Sequence, residues 1–343
     1  MKWILTMLVL LPALAFGNNV KAYYDAVNAA EFCILEGKFP CASENYRKAF
    51  RNLDQPFARH LFNAALVEAR LGTYQLIASL FTQLMERGVP YSSLRWRPEF
   101  AGYFSSSYGI AFEVSAGNIQ VKTDPEYQET LRQLHETDQQ FRGAAKNSPA
   151  IDDSIRSNAR VVINTLLALI RDKGFPTEQQ VGVSPEFFQP RYFPLFFIHQ
   201  ASGHMQQFNL GGLLLENIDA GKLEATLGND LINHMNGINT FGTGVMRILL
   251  VRVIDSTKSA AREENYVLLD SSDYGYFPLD ARMTELANQD RPRRYLCDYE
   301  TSLRKSLYEL KHRDFILGNM FSGANLIYTI REGFIEDSAK LRH

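Results

Sequence analysis

One short motif constrains this chain more than any other feature: Glu36-Gly37-Lys38-Phe39 returns 35 residues later as Leu71-Gly72-Thr73-Tyr74. Around it Asn28 matches Asn63, Ala30 matches Ala65, Tyr46 matches Phe81 and Ala49 matches Leu84. A repeat of this length is one supersecondary unit that buries its apolar face only by stacking on a neighbour. Gly between two helical runs permits the positive φ on which a helix closes. The aromatic that follows packs into the crossing, and the small residues let the helices approach. Two helix hairpins are therefore expected over roughly Lys21 to Gly88. Pro40 falls at the start of a second helix, where a missing N–H is tolerated.

The spacing of the turn Gly and its aromatic resembles the tetratricopeptide repeat. That resemblance implies a concave, peptide- or protein-docking surface. Asn28 and Asn63 stand on successive first helices, where their amides can grip the backbone of an extended peptide. The alternative for both is plain packing or solvent contact. Two repeats rarely close a core by themselves, and about three are usually needed. The aromatic stretch Tyr91 to Ala116, with Phe100, Tyr103, Phe104, Tyr108 and Phe112, is expected to cap the stack. Residues 18–118 thus form the expected repeat region, with Ser115 to Lys122 as linker.

The N-terminus reads as an export leader over residues 1–17. Lys2 is basic, Trp3 to Leu11 is apolar apart from Thr6, and Pro12 and the small residues Ala13, Ala15 and Gly17 follow. This is the order of a signal peptide, and the run is far short of the roughly 20 residues that span a bilayer. No other stretch is long and apolar enough to cross a membrane, since Asn164 and Pro194 interrupt the two best candidates. The chain carries 36 basic and 38 acidic residues, a net charge of −2, which becomes −3 when Lys2 leaves with the leader. Such a balance gives no electrostatic footprint for nucleic acid or an anionic membrane. A secreted or periplasmic, cell-envelope location is expected. There, Cys33 and Cys41 can pair across a hairpin, with small buried thiols as the other reading. Cys297 is left over.

Residues 119–343 are expected to form a second, mainly α-helical domain. Asp124 at the N-cap, Pro125 at the first helical position and Glu126 in the first turn announce one helix, with Tyr127, Leu131, Leu134 and Phe141 as its stripe. Another is expected from Ser154 to Lys173 with Val161, Val162, Leu166, Leu169 and Ile170 inward, closed by Gly174 and Pro176. Helices follow near Phe193–Gln200, Met205–Ala220 and Leu223–Asn236. Past Gly237 the β-branched runs Val245–Val253 and Tyr266–Leu269 suggest a small β-hairpin within about 245–270. Ser271 to Pro278 reads as an aromatic loop, and Glu300 to Glu332 as helix. The expected fold class is therefore mainly α: tetratricopeptide-like hairpins, then a helical domain with a small β-hairpin.

Asp138-Gln139-Gln140-Phe141-Arg142, Asn164-Thr165-Leu166, Gly174-Phe175-Pro176, Val181-Gly182, His199-Gln200 and Phe241-Gly242-Thr243 occur in that order. Together they resemble an uncharacterised domain of secreted and envelope proteins of Bacteroidetes-type bacteria. The family lends no activity. Relatives carry an acidic residue just before the Asn, whereas Val161-Val162-Ile163 precede Asn164 here.

Four polar residues are the candidates for catalysis: Asp138, Arg142, His199 and His204. Asp138 and Arg142, four apart on a helix, make either a clamp for a carboxylate or phosphate or a simple intrahelical ion pair. His199 and His204 lie about 140° apart on an ideal helix and converge only if Gly203 breaks it. Glu216 and His234 are further metal-ligand candidates, but no zinc spacing, calcium loop or nucleophile elbow is present. Gly237 to Gly244 lacks the Lys-Ser/Thr of a phosphate loop. No cofactor is implied. The primary reading is an exported interaction module that docks a protein or peptide through its repeats. The alternative is a hydrolase, metal-assisted or not, built on the four polar residues.

Overall fold

The computed structural model describes residues 16–142, 149–186, 188–199, 207–236, 250–253, 267–268, 274–276, 281–312, 314–317 and 328–330. The residues expected to form an export leader lie almost wholly outside these ranges. The fold is mainly α. Helices α1 (Phe16–Leu35), α2 (Phe39–Phe50), α3 (Ala58–Leu71) and α4 (Ile77–Glu86) pack consecutively. Short helices α5 (Tyr91–Arg95), α6 (Ala101–Phe104) and α7 (Ser107–Ala116) come next. Gly37 and Gly72 adopt φ of 67° and 71° at the ends of α1 and α3, the left-handed geometry for which the repeat uses Gly. Pro40 sits in the first turn of α2.

Helices α8 (Pro125–Gln139), α9 (Pro149–Lys173), α10 (Glu178–Val181), α11 (Phe193–Ile198), α12 (Leu210–Asp219) and α13 (Ala225–Asn236) form the next layer. The start of α8 obeys its sequence: Asp124 Oδ1 accepts from Glu126 N and Tyr127 N, each at 3.0 Å. In α9 the buried stripe is Ala159, Val162, Ile163 and Leu166, whereas Val161 is 52% exposed and not inward. The helical period explains this: Val161 lies about 100° from Val162 and on the far side from Ile163 and Leu166. Two further helices, α14 (Ala281–Asp290) and α15 (Tyr299–His312), close the chain's helical part.

Four short strands are described: β1 (Leu250–Val253), β2 (Val267–Leu268), β3 (Tyr274–Tyr276) and β4 (Tyr328–Ile330). Among the described residues the expected hairpin is not formed. β1 and β2 do not pair with each other; each pairs antiparallel with β3, in the order β2-β3-β1-β4. Tyr274-Gly275-Tyr276, expected as loop, supplies the middle strand, consistent with the strand preference of aromatic residues. The helix expected from Glu300 to Glu332 ends at His312, and β4 lies parallel to β1. The non-helical segment Phe315-Ile316-Leu317 that follows buries its first and third residues and leaves the middle one partly accessible, as alternating side chains do.

The core falls into two large clusters, each drawing on residues from both sides of position 118, and a small third one of Ala287 and Tyr299. Val183, Phe188, Phe315 and Leu317 complete the cluster of α2–α7. Val20, Tyr23, Tyr24, Val27, Ala49 and Phe57 belong with α8–α13. Helix α3 is buried along its length, from Ala58 to Glu68. It is the central post, and α1 packs also on α15.

Candidate functional site

A helix that is buried all round must satisfy every polar group it carries. Helix α3 carries Arg59, His60, Asn63, Glu68 and Arg70. The amide of Asn63 is fully buried and holds one residue by both main-chain atoms: Asn63 Nδ2 donates to Ile316 O at 2.7 Å, and Ile316 N donates to Asn63 Oδ1 at 2.9 Å. Either side of Ile316, Arg70 Nη2 meets Asp314 Oδ2 at 2.6 Å, and Leu317 N donates to Glu309 Oε1 at 2.7 Å. The Phe315 ring stacks on Phe39 at 6.1 Å between centroids, and both Phe315 and Leu317 are buried. Asn28 acts similarly one repeat earlier, donating from Nδ2 to Tyr295 O at 3.1 Å. The two repeat amides therefore grip backbone, and the backbone is the chain's own.

Behind them lies a sealed ionic network. Arg59 Nη2 donates to Glu224 Oε1 at 3.0 Å and lies 3.9 Å from Glu31 Oε1, while Lys305 Nζ donates to Glu31 Oε2 at 2.5 Å. His60 receives Arg59 Nη2 at Nε2, 3.2 Å away, and meets the Tyr23 hydroxyl at Nδ1, 2.6 Å away. A guanidinium only donates, so Nε2 is a lone pair and the ring is neutral. Consistent with this, burial, helped by Arg59 and Lys305, pushes the His60 pKa well below its ordinary value. Nearby, burial pushes Glu178 up to about 7 despite Arg87 and the Ala58 N–H, which donates to Glu178 Oε2 at 2.6 Å. Sequence reasoning passed over this network. Its signal was Arg59-His60 inside Phe57-Ala58-…-Leu61-Phe62, charges embedded in an otherwise apolar helix.

The second assembly gathers three of the four catalytic candidates. Asp138, in the last turn of α8, has no exposed side-chain surface. It meets His199 Nδ1 at 2.5 Å through Oδ2 and accepts from Arg142 Nη2 at 3.0 Å through Oδ1, while Gln139 Nε2 donates to Oδ2 at 2.8 Å. Burial raises the Asp138 pKa, but the hydrogen bonds from His199 and Arg142 outweigh it and hold the carboxyl below its ordinary range. The side chains of His199 and Arg142 remain 19% and 22% exposed. A carboxylate that fixes Nδ1 leaves Nε2 as the imidazole's remaining functional atom. The adjoining guanidinium repels a cation and suits an anion.

His204 lies outside the described residues, as does the Gly237–Gly244 loop, and nothing is described of the His234 side chain. Glu216 is exposed on α12. No group of three or more His, Cys, Asp or Glu that can hold a metal occurs among the described residues. Cys33 and Cys41 are disulfide-bonded across the first turn, 5.9 Å apart at Cα. A cleft of about 330 Å³ lies over Arg87 and Lys122, but Glu178 and Glu86 stand against those charges. No described helix is long and apolar enough to cross a membrane.

No family model matches the chain, and neither a curated protein nor a solved structure is similar enough to match it.

Proposed function

We propose that this is an exported, mainly helical interaction protein of the cell envelope, whose tetratricopeptide-like hairpins dock a segment of polypeptide. The observation that carries this reading is Asn63, a buried amide that takes both main-chain atoms of Ile316. Main-chain recognition of this kind is indifferent to side chains, and flanking groups such as Arg70 and Phe39 add selectivity. The leader-like N-terminus and the Cys33–Cys41 bond support an oxidising, extracytoplasmic location. The test is a crosslinked pull-down from the native envelope with the mature chain and with its Asn63→Ala variant. A stoichiometric partner captured by the first and lost by the second is expected; equal capture, or none, contradicts the reading.

A second reading rests on the meeting of Asp138, Arg142 and His199. A carboxylate-oriented imidazole beside a guanidinium suits general-base hydrolysis of an anionic substrate. It predicts turnover of a carboxylate or phosphate ester that falls at least about 100-fold in His199→Ala. Equal turnover in the variant removes it.

A further inference from the structure

Resting on the docking reading above, we infer the class of peptide that the groove takes: an acidic residue followed by an aromatic, a residue held by its backbone, and an aliphatic. The chain's own Asp314-Phe315-Ile316-Leu317 is a resident copy that such a partner displaces. The surroundings of the four residues define the pattern. Arg70 reads the carboxylate of Asp314 at 2.6 Å. Phe39 and Tyr308 receive the Phe315 ring, at 6.1 and 6.2 Å. Asn63 takes the backbone of Ile316, whose side chain is partly buried against the same core. Leu317 is 1% exposed in the core of the hairpins.

The rim is open where exchange requires it. The Arg70 side chain is 49% exposed, and Phe39 and Ile316 are both partly accessible. The resident segment comes directly after α15, so its effective concentration at the groove is high, on the order of millimolar for a short tether. A free peptide with identical contacts therefore binds the intact chain weakly and binds a chain with a loosened segment well. That difference is the signature of a site occupied by the chain's own segment.

The test uses the mature chain and a fluorescein-labelled peptide of residues 311–319, read by anisotropy. The double variant Asp314→Ala/Ile316→Pro removes the Arg70 partner and the N–H that Asn63 accepts, without touching the groove. It is expected to bind the peptide at least about 10-fold tighter than the unaltered chain. Adding Asn63→Ala is expected to cancel that gain, and a scrambled peptide to show none. A double variant that keeps its helical circular dichroism and binds no tighter overturns the inference. Should it fail to fold, a charge swap decides. The unaltered chain should prefer the peptide with Asp at position 314, and Arg70→Glu the peptide with Lys there. No reversal of preference overturns the inference. An envelope partner that still needs Asn63 while neither peptide experiment succeeds leaves docking standing and removes only this specificity; loss of both removes the two together.

Discussion

Two clusters of charge sit in this molecule, and they are built to opposite ends. Glu31, Arg59, His60, Glu224 and Lys305 are all less than one-tenth exposed. They come from α1, α3, the start of α13 and α15, so their pairing ties the hairpins to the rest of the chain. Asp138, Arg142 and His199 share the same logic of a buried carboxylate facing nitrogen donors, yet the imidazole and the guanidinium each keep about a fifth of their side-chain surface in solvent. The sealed network has no means of meeting a ligand and every means of fixing which helices pack together. The half-open one has a base and a cation at the surface. Burial, more than residue type, separates a structural cluster from a candidate site.

The sharpest way to break this comparison is to remove one partner from each cluster. Arg59→Ala leaves Glu31 and Glu224 buried with a single cation, and urea denaturation is expected to show a loss of about 3–5 kcal/mol. A loss below about 1 kcal/mol would mean that solvent reaches the network after all. Removal of the Cys33–Cys41 bond in Cys33→Ser/Cys41→Ser should cost about 2–3 kcal/mol, the entropy of a short closed loop, with no effect on either cluster. Asp138→Ala frees an imidazole and a guanidinium that solvent can hydrate, so its cost should stay near about 1–2 kcal/mol. If Asp138→Ala costs as much as Arg59→Ala, the second cluster is also structural.

Acid should separate the clusters as well. His60 is held neutral below its ordinary value of 6.5. Stability from the sealed network is therefore complete above that pH and declines as pH falls, because the unfolded chain gains a proton that the folded one refuses. Asp138 has a depressed pKa, so its contribution persists above 3.8 and fades only as pH falls further. Glu178 runs the other way. With a folded pKa of about 7 against an ordinary 4.5, its contribution is full below 4.5 and is lost as pH rises through 7. Urea midpoints across pH 4 to 8 should show both limbs: His60→Asn flattens the acid side and Glu178→Gln the neutral side.

Much of the N-terminal architecture was legible because local chemistry decides it. Gly37 and Gly72 close helices by a backbone geometry open to Gly, and Asp124-Pro125-Glu126 caps α8 by its own side chain. The segment after α15 was not legible in the same way. Phe315-Ile316-Leu317 carries no local signal that it will lie against α3, some 250 residues earlier; only the folded chain brings Asn63 and Ile316 together. The β region failed for a related reason. Pairing partners are set by tertiary context, and Tyr274-Gly275-Tyr276 displaced the nearer strand. Asp138, Arg142 and His199 are legible as candidates for one pocket, although helical period alone cannot bring together residues 61 apart. The buried charges of α3 do carry a sequence signal, since Arg59 and His60 stand in an apolar helix that had to be covered.

Both the docking reading and the peptide class depend on Asn63 holding the chain's own strap in the groove. Native-state hydrogen exchange of the Ile316 amide, read by mass spectrometry or NMR, tests that hold without any partner. The amide is expected to be protected in the unaltered chain and to exchange at least about 10-fold faster in Asn63→Ala, since about 1.4 kcal/mol of lost hydrogen bonding is a factor of ten in opening. Rapid exchange in the unaltered chain, or protection unchanged by Asn63→Ala, would contradict it.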